Sequence, residues 1–258
     1  MSQPYQPYKI AEIWQENANN KTFVLDAAIE AQPGQFVMAW LPGMQDKPFS
    51  LAHTHPLSLT IAAVGPLSRA LHALKVGDRI WIRGPLGKPY HLTGQPGDHL
   101  LLIGGGYGVA PLRYLAETAL AQGYRVSAIV GARRQADLLQ VEAFKALGVA
   151  TWTTTEDGSA GLQGLVTDAI TPVFDSELGR PALVCTCGPT GMLRAVAARC
   201  VTENIPVQVS WEAHMRCGIG LCGSCEVGEG WLTCLDGPVF EFDPVRVSPL
   251  AQGAGSGE

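Results

Sequence analysis

The sequence predicts an α+β multidomain chain: an N-terminal antiparallel β-barrel over residues 1–97, an α/β parallel-sheet domain over 98–210, and a small C-terminal cysteine-rich segment over 211–258. Three observations carry this expectation. Up to Ile82, short apolar and β-branched runs are separated by Gly, Pro and Asn turn signals, the pattern of a small barrel. From His99, apolar runs alternate with stretches of helical period, which predicts a parallel sheet covered on both faces. Near the end, Cys217, Cys222 and Cys225 form C-x4-C-x2-C, with Cys234 beyond them.

In the first unit, strands are expected over Ile10 to Trp14, Thr22 to Leu25, Gln35 to Trp40, Leu57 to Val64 and Asp78 to Ile82, with one short helix over Arg69 to Leu74. Lys47-Pro48-Phe49-Ser50 reads most simply as a surface turn, since Pro and Ser favour turns. Gly65-Pro66-Leu67-Ser68 precedes the short helix, where backbone N–H groups and a hydroxyl can hold phosphate. Gly84-Pro85-Leu86-Gly87 reads as a tight turn closing the barrel.

In the second unit, strands are expected over His99 to Ile103, Tyr124 to Val130, Val149 to Thr154, Ala182 to Thr186 and Pro206 to Ser210. Helices are expected over Val109 to Gln122, Ala136 to Leu147, Gln163 to Ile170 and Thr190 to Val201. Gly104-Gly105-Gly106-Tyr107-Gly108 lies at the first strand-to-helix turn, where a dinucleotide rests its pyrophosphate. The strict G-x-G-x-x-G pattern is only half met, because Val109 stands at the third glycine and no acidic residue ends the second strand. A glycine turn made for packing alone is the competing explanation.

The third unit carries the sharpest signal. Four cysteines at plant-type ferredoxin spacing are what a 2Fe-2S cluster needs. Gly218, Gly220 and Gly223 let the loop turn tightly and aim N–H groups at sulfur. Zinc ribbons also use four cysteines, but as two separated knuckles. A disulfide framework is disfavoured in a chain showing no export signal. Of the other cysteines, Cys185 and Cys200 read as structural. Cys187 alone would read as a buried small hydrophobe, but it stands beside the Gly188-Pro189 turn at a strand's end.

A net charge of −5 without a basic run gives no electrostatic footprint for nucleic acid. No apolar run approaches the ~20 residues of a membrane span, and the first residues lack a signal-peptide core, so a cytoplasmic protein is expected. The polar tail Ala251 to Glu258 is expected to fray.

The order of these pieces resembles the ferredoxin–NADP reductase family: a barrel with K-P-F-S (R-x-x-S in the family), then G-x-x-S, then G-P-x-G, then G-G-G-x-G-x-A-P, then C-G-P. The resemblance implies a FAD-binding barrel domain and an NAD(P)-binding α/β domain. It implies that Lys47, Pro48, Phe49 and Ser50 hold the flavin, that Thr60, Ile61 and Ala62 lie along its edge, and that Leu67 and Ser68 meet its phosphates. It implies that Gly104, Gly105, Gly106, Gly108 and Pro111 receive the dinucleotide, and that Cys187, with Gly188 and Pro189, stands beside the nicotinamide and is the catalytic residue. Lys47 departs from the family's arginine and cannot make a bidentate fork to pyrophosphate.

Thr155 to Gly161, Ser210 to Gly220 and Cys234 to Phe240 narrow the likeness. Over Tyr8 to Val245 the chain is similar to the electron-transfer subunits of dihydroorotate dehydrogenase B. That implies Asp157, Gly158 and Ser159 near the dinucleotide, and cluster ligation by Cys217, Cys222, Cys225 and Cys234. It also implies an FMN-containing dihydroorotate dehydrogenase catalytic partner in a heterotetramer of two of each, with electrons passing through the 2Fe-2S cluster and FAD to NAD+ in pyrimidine biosynthesis. NADH is favoured by this likeness, although Arg133 and Arg134 would suit the 2′-phosphate of NADP. The alternatives are the small subunit of a ferredoxin–NADP(H) or bifurcating oxidoreductase, and an iron–sulfur regulatory module without hydride chemistry.

Overall fold

The computed structural model describes residues 4–242; the expectation for the tail from Ala251 lies outside them. The first domain is one curled antiparallel sheet. Its strands are β1 (Gln6–Gln15), β2 (Asn20–Leu25), β3 (Phe36–Trp40), β4 (Lys47–Ser50), β5 (His53–Thr54), β6 (Leu57–Ala62) and β7 (Arg79–Leu86), with α1 (Pro66–His72) between the last two. The strand order is β4-β3-β7-β1-β2-β6-β5. Its core gathers Phe23, Leu25, Val37, Leu59, Ile61 and Ile80 from alternate strand positions, as period-two side-chain alternation requires.

Two local expectations fail here. Lys47-Pro48-Phe49-Ser50 is strand β4 rather than a surface turn, paired with β3 from Ala39↔Lys47 to Phe36↔Ser50. Pro48 is tolerated because, among the described residues, β4 ends the sheet and pairs with β3 alone. Gly84-Pro85-Leu86 continues β7 instead of turning, with a register shift against β3 between Phe36 and Met38.

The second domain is a parallel sheet with order β11-β10-β9-β8-β12-β13-β14. It comprises β8 (His99–Gly105), α2 (Ala110–Ala121), β9 (Arg125–Ala132), α3 (Val141–Ala146), β10 (Ala150–Thr155), β11 (Leu162–Gln163), α4 (Ile170–Phe174), β12 (Leu183–Cys187), α5 (Thr190–Thr202) and β13 (Val207–Ser210), closed by β14 (Val239–Phe242). Strand β8 is buried throughout because helices cover both faces. Leu100 and Leu102 pack with α2 and α3, and Leu101 and Ile103 with α4 and α5.

The helix expected over Ala136 to Leu147 is broken at Gln140, whose φ is 60°. In place of the helix expected over Gln163 to Ile170, β11 ends at Gln163, a 3-10 turn covers Val166–Ala169, and the α-helix begins only at Ile170. The segment after β13 makes the cysteine loop and returns as β14, antiparallel to β13 from Ser210↔Val239 to Val207↔Phe242. Among the described residues, no helix is long and apolar enough to cross a membrane.

Candidate functional site: a cavity beside the cysteine loop

All three parts of the chain meet at one cavity of ≈ 400 Å³, within the ~300–1,000 Å³ range of small-molecule sites. The barrel supplies Lys47, Pro48, Phe49 and Ser50 from β4, Thr60 and Ala62 from β6, and Val64 to Ser68 before and within α1. The parallel sheet supplies Tyr107, Gly108, Ala110, Pro111 and Cys187. The segment leading to the cysteines supplies Ser210 to Met215.

Strand alternation decides which β6 residues can act. Thr60 and Ala62 are half-buried and face the cavity. The side chain of Ile61 is fully buried in the barrel core and turns away from the cavity. Ser68 lines the cavity, but its hydroxyl already accepts from Gly65 N–H at 2.8 Å and donates to Gly65 C=O at 3.1 Å. Lys47 Nζ is 3.5 Å from Gln45 Oε1, too long for a strong bond, and so is available to an anion.

The glycine turn serves packing and approach at different positions. A Cβ at Gly108 would stand 2.6 Å from Gly188 Cα, so the β8 and β12 turns touch backbone to backbone there. Gly104 and Gly105 are hemmed in by Val109 and Met192. Gly106, at φ +54°, has open space where its Cβ would be. Of these four glycines, Gly108 alone lines the cavity. Cys187 ends β12 opposite Gly104 and is 4% exposed. Burial first, then the charge of Glu212, pushes its thiol up to about 12, against a hydrogen bond with Ser210.

Asp157, Gly158 and Ser159 do not line the cavity. They form an exposed turn after β10, at the same C-terminal edge of the sheet. Asp157 Oδ1 accepts from Ser159 Oγ at 2.6 Å and Ser159 N–H at 2.9 Å. Those bonds hold the Asp157 carboxyl below its ordinary value. Gly188 and Pro189 adjoin the cavity without lining it. Arg134 is engaged by Asp137 at 3.0 Å.

Sequence reasoning missed the pair formed by Tyr107 and Glu212. Glu212 stands exposed at the cavity's rim, and partial desolvation there raises its pKa. Its signal was its place just past a parallel strand's carboxyl end, where such sheets bind ligands.

The cysteine loop lies directly behind the cavity. Met215 lines the cavity and packs with Phe36, Met38, Cys225 and Cys234. The four cysteines lie close together in one loop. Cys225 and Cys234 are 3.3 Å apart, and Cys222 is within hydrogen-bonding reach of Cys217 and Ser224. Among the described residues, no three Cys, His or acidic groups converge on a single ion position. Four thiolates at this spacing are the donor set of a 2Fe-2S cluster. Backbone N–H groups point at sulfur: Ile219 and Leu221 at Cys217 (3.5 and 3.3 Å), and Gly220 at Cys234 (3.2 Å). A tight hairpin precedes Cys234, with Val227 N–H bonded to Trp231 C=O and Glu226 bridged to Leu232.

Comparison with known proteins agrees with this geometry. Residues 212–246 match the iron–sulfur cluster binding domain of dihydroorotate dehydrogenase B, and residues 102–198 match an oxidoreductase NAD-binding domain. The chain is 40% identical over 92% of its length to a probable dihydroorotate dehydrogenase B (NAD(+)) electron transfer subunit of Methanocaldococcus jannaschii, covering 90% of that protein. It is 41% identical to the Thermococcus kodakarensis counterpart, covering 92% of this chain and 96% of that one. Among solved structures, a NADH-dependent reduced ferredoxin–NADP oxidoreductase chain aligns with TM-score 0.82 at 29% identity, covering 95% of this chain and 93% of that one. With its cavity, its four loop cysteines and relatives matching along nearly their whole length, the chain belongs to the family of dihydroorotate dehydrogenase B electron-transfer subunits.

Proposed function

We propose that the chain carries electrons from the FMN of a dihydroorotate-oxidising catalytic subunit to NAD+, using a 2Fe-2S cluster on Cys217, Cys222, Cys225 and Cys234 and FAD in the cavity. The observation that carries this is Met215, which touches the cavity on one side and packs with two of the cluster cysteines on the other. A bound flavin supplies the exchange between single electrons and a hydride, and a cluster supplies single-electron transfer; the protein supplies placement.

In this reading Lys47 offers its charge to the flavin's phosphates, and β4 with Thr60 and Ala62 flanks the ring. Leu67 and the backbone around Ser68 close the barrel side. Cys187 faces the ring from the opposite wall as a neutral thiol and packs the nicotinamide against it. Gly104 to Gly106, Gly108, Pro111, Gly188 and Pro189 admit the dinucleotide along the sheet edge, with Asp157 to Ser159 at its far end. The catalytic subunit docks over the cysteine loop in an assembly of two of each chain, in the cytoplasm.

The test is purification alone and with the catalytic subunit, with iron, flavin and activity measured. The isolated chain is expected to be yellow-brown, to reduce dyes with NADH and to leave dihydroorotate untouched. Dihydroorotate turnover by the isolated chain, or a flavin-free preparation, overturns the proposal. The likeness to the ferredoxin–NADP oxidoreductase chain supports a second reading, as the small subunit of such an enzyme; co-purification with a pyrimidine-forming flavoprotein discriminates between them.

A further inference from the structure

Arg83 is 8% exposed. It stands on β7 opposite Met38 of β3, and its Nη2 donates to the carbonyl oxygen of Cys217 at 2.6 Å. The guanidinium lies over the Tyr5 ring at 5.4 Å. Its acidic neighbour, Asp46, is 4.0 Å away and accepts the Tyr5 hydroxyl. Asp46 immediately precedes Lys47 of the cavity wall. Gly218, next to Cys217, sits against Met38 and Leu86 of the barrel; a Cβ there would meet Met38 Cγ at 3.1 Å. The cysteine loop is therefore pinned to the barrel at its first cysteine.

We propose that Arg83 is a positioning residue for the 2Fe-2S cluster, fixing the Cys217 end of the loop against the cavity wall and raising the cluster's reduction potential with its charge. This rests on the reading that the four cysteines hold that cluster. A single carbonyl does not require a guanidinium, which offers five donors in a rigid fork. The guanidinium is 2.6 Å from the Cys217 carbonyl and 4.0 Å from Asp46, so the positive member of this ion pair is the one in contact with the first cysteine. A fixed positive charge favours the reduced cluster, which carries the extra electron. One unit charge at ~10 Å with an effective dielectric of ~20 is worth roughly tenfold in that equilibrium, or about 59 mV for one electron.

The experiment is an EPR-monitored redox titration of the full chain in complex with its catalytic subunit, comparing the parent with Arg83→Met and Arg83→Lys. A parent that yields no 2Fe-2S signal fails the cluster reading and not this inference. With the parent signal present, Arg83→Met is expected to titrate about 59 mV lower, and Arg83→Lys to recover most of that shift. An unchanged midpoint in Arg83→Met overturns the proposal. Should Arg83→Met fail to hold the cluster, Asp46→Asn decides: removal of the counter-charge is expected to raise the midpoint, and no change overturns the inference.

Discussion

The Tyr107 hydroxyl donates to Glu212 Oε2 at 3.2 Å, joining the glycine turn of the parallel sheet to the segment that leads into the cysteines. Burial, followed by the Glu212 charge, pushes Tyr107 up to about 12, and burial raises Glu212 while the hydrogen bond from Tyr107 opposes the rise. A carboxyl raised on folding holds a proton that the unfolded chain gives up. Its contribution is complete below the ordinary value of 4.5 and is lost as pH rises through the folded value. Glu212→Gln is expected to flatten the fall in Tm on that alkaline side and to melt higher than the parent at about pH 8. Melting curves of both proteins across that span check this; parallel pH profiles contradict it.

Cys187 is expected to behave as a neutral, shielded thiol. With a pKa of about 12, its thiolate is scarce at neutral pH, and alkylation should be slow compared with an ordinary exposed cysteine. Cys187→Ala should keep flavin and iron but slow NADH-dependent dye reduction roughly 10- to 100-fold, because ring packing is lost. Stopped-flow flavin reduction reads this directly. A variant as fast as the parent removes Cys187 from the reaction.

Lys47 is expected to be the barrel's anionic anchor. Lys47→Ala should weaken flavin retention about tenfold, the worth of one charge-assisted bond. Lys47→Arg should retain flavin at least as well, since a guanidinium adds a second prong toward phosphate. Equilibrium dialysis against free FAD measures both. Equal affinity in Lys47→Ala assigns the phosphate to another group.

Around the cysteines, Leu221 is 81%, Leu235 54% and Trp231 42% exposed, an apolar set on the cysteine loop. Leu221→Asp is expected to weaken association with the catalytic subunit at least tenfold while leaving the visible spectrum of the chain intact. Calorimetry of the two purified chains tests it. Unaltered association moves the docking face elsewhere.

Much of this was legible in residue order. Strand β8 announced itself by an uninterrupted apolar run, and Cys217 to Cys234 by spacing that few other structures use. What escaped had long-range causes. Lys47 to Ser50 reads locally as a turn and becomes a strand because β3 offers an edge. Residues 239–242 have no strand partner in their own neighbourhood; β13 provides one. The alternation of β6 was legible too: it turns the Ile61 side chain into the barrel core, away from Thr60 and Ala62. Arg83 and Glu212 carry no motif, and only folding brings them to Cys217 and Tyr107.

Because Ser210 and Val239 face each other across a ladder, the iron-bearing stretch leaves and re-enters the sheet at neighbouring points. It is an insertion in a β-hairpin, not a trailing appendage. Splicing β13 to β14 through a short turn would excise the whole metal unit and leave the seven-stranded sheet with every strand in place. Conversely, the same two positions are where a different redox unit could be grafted.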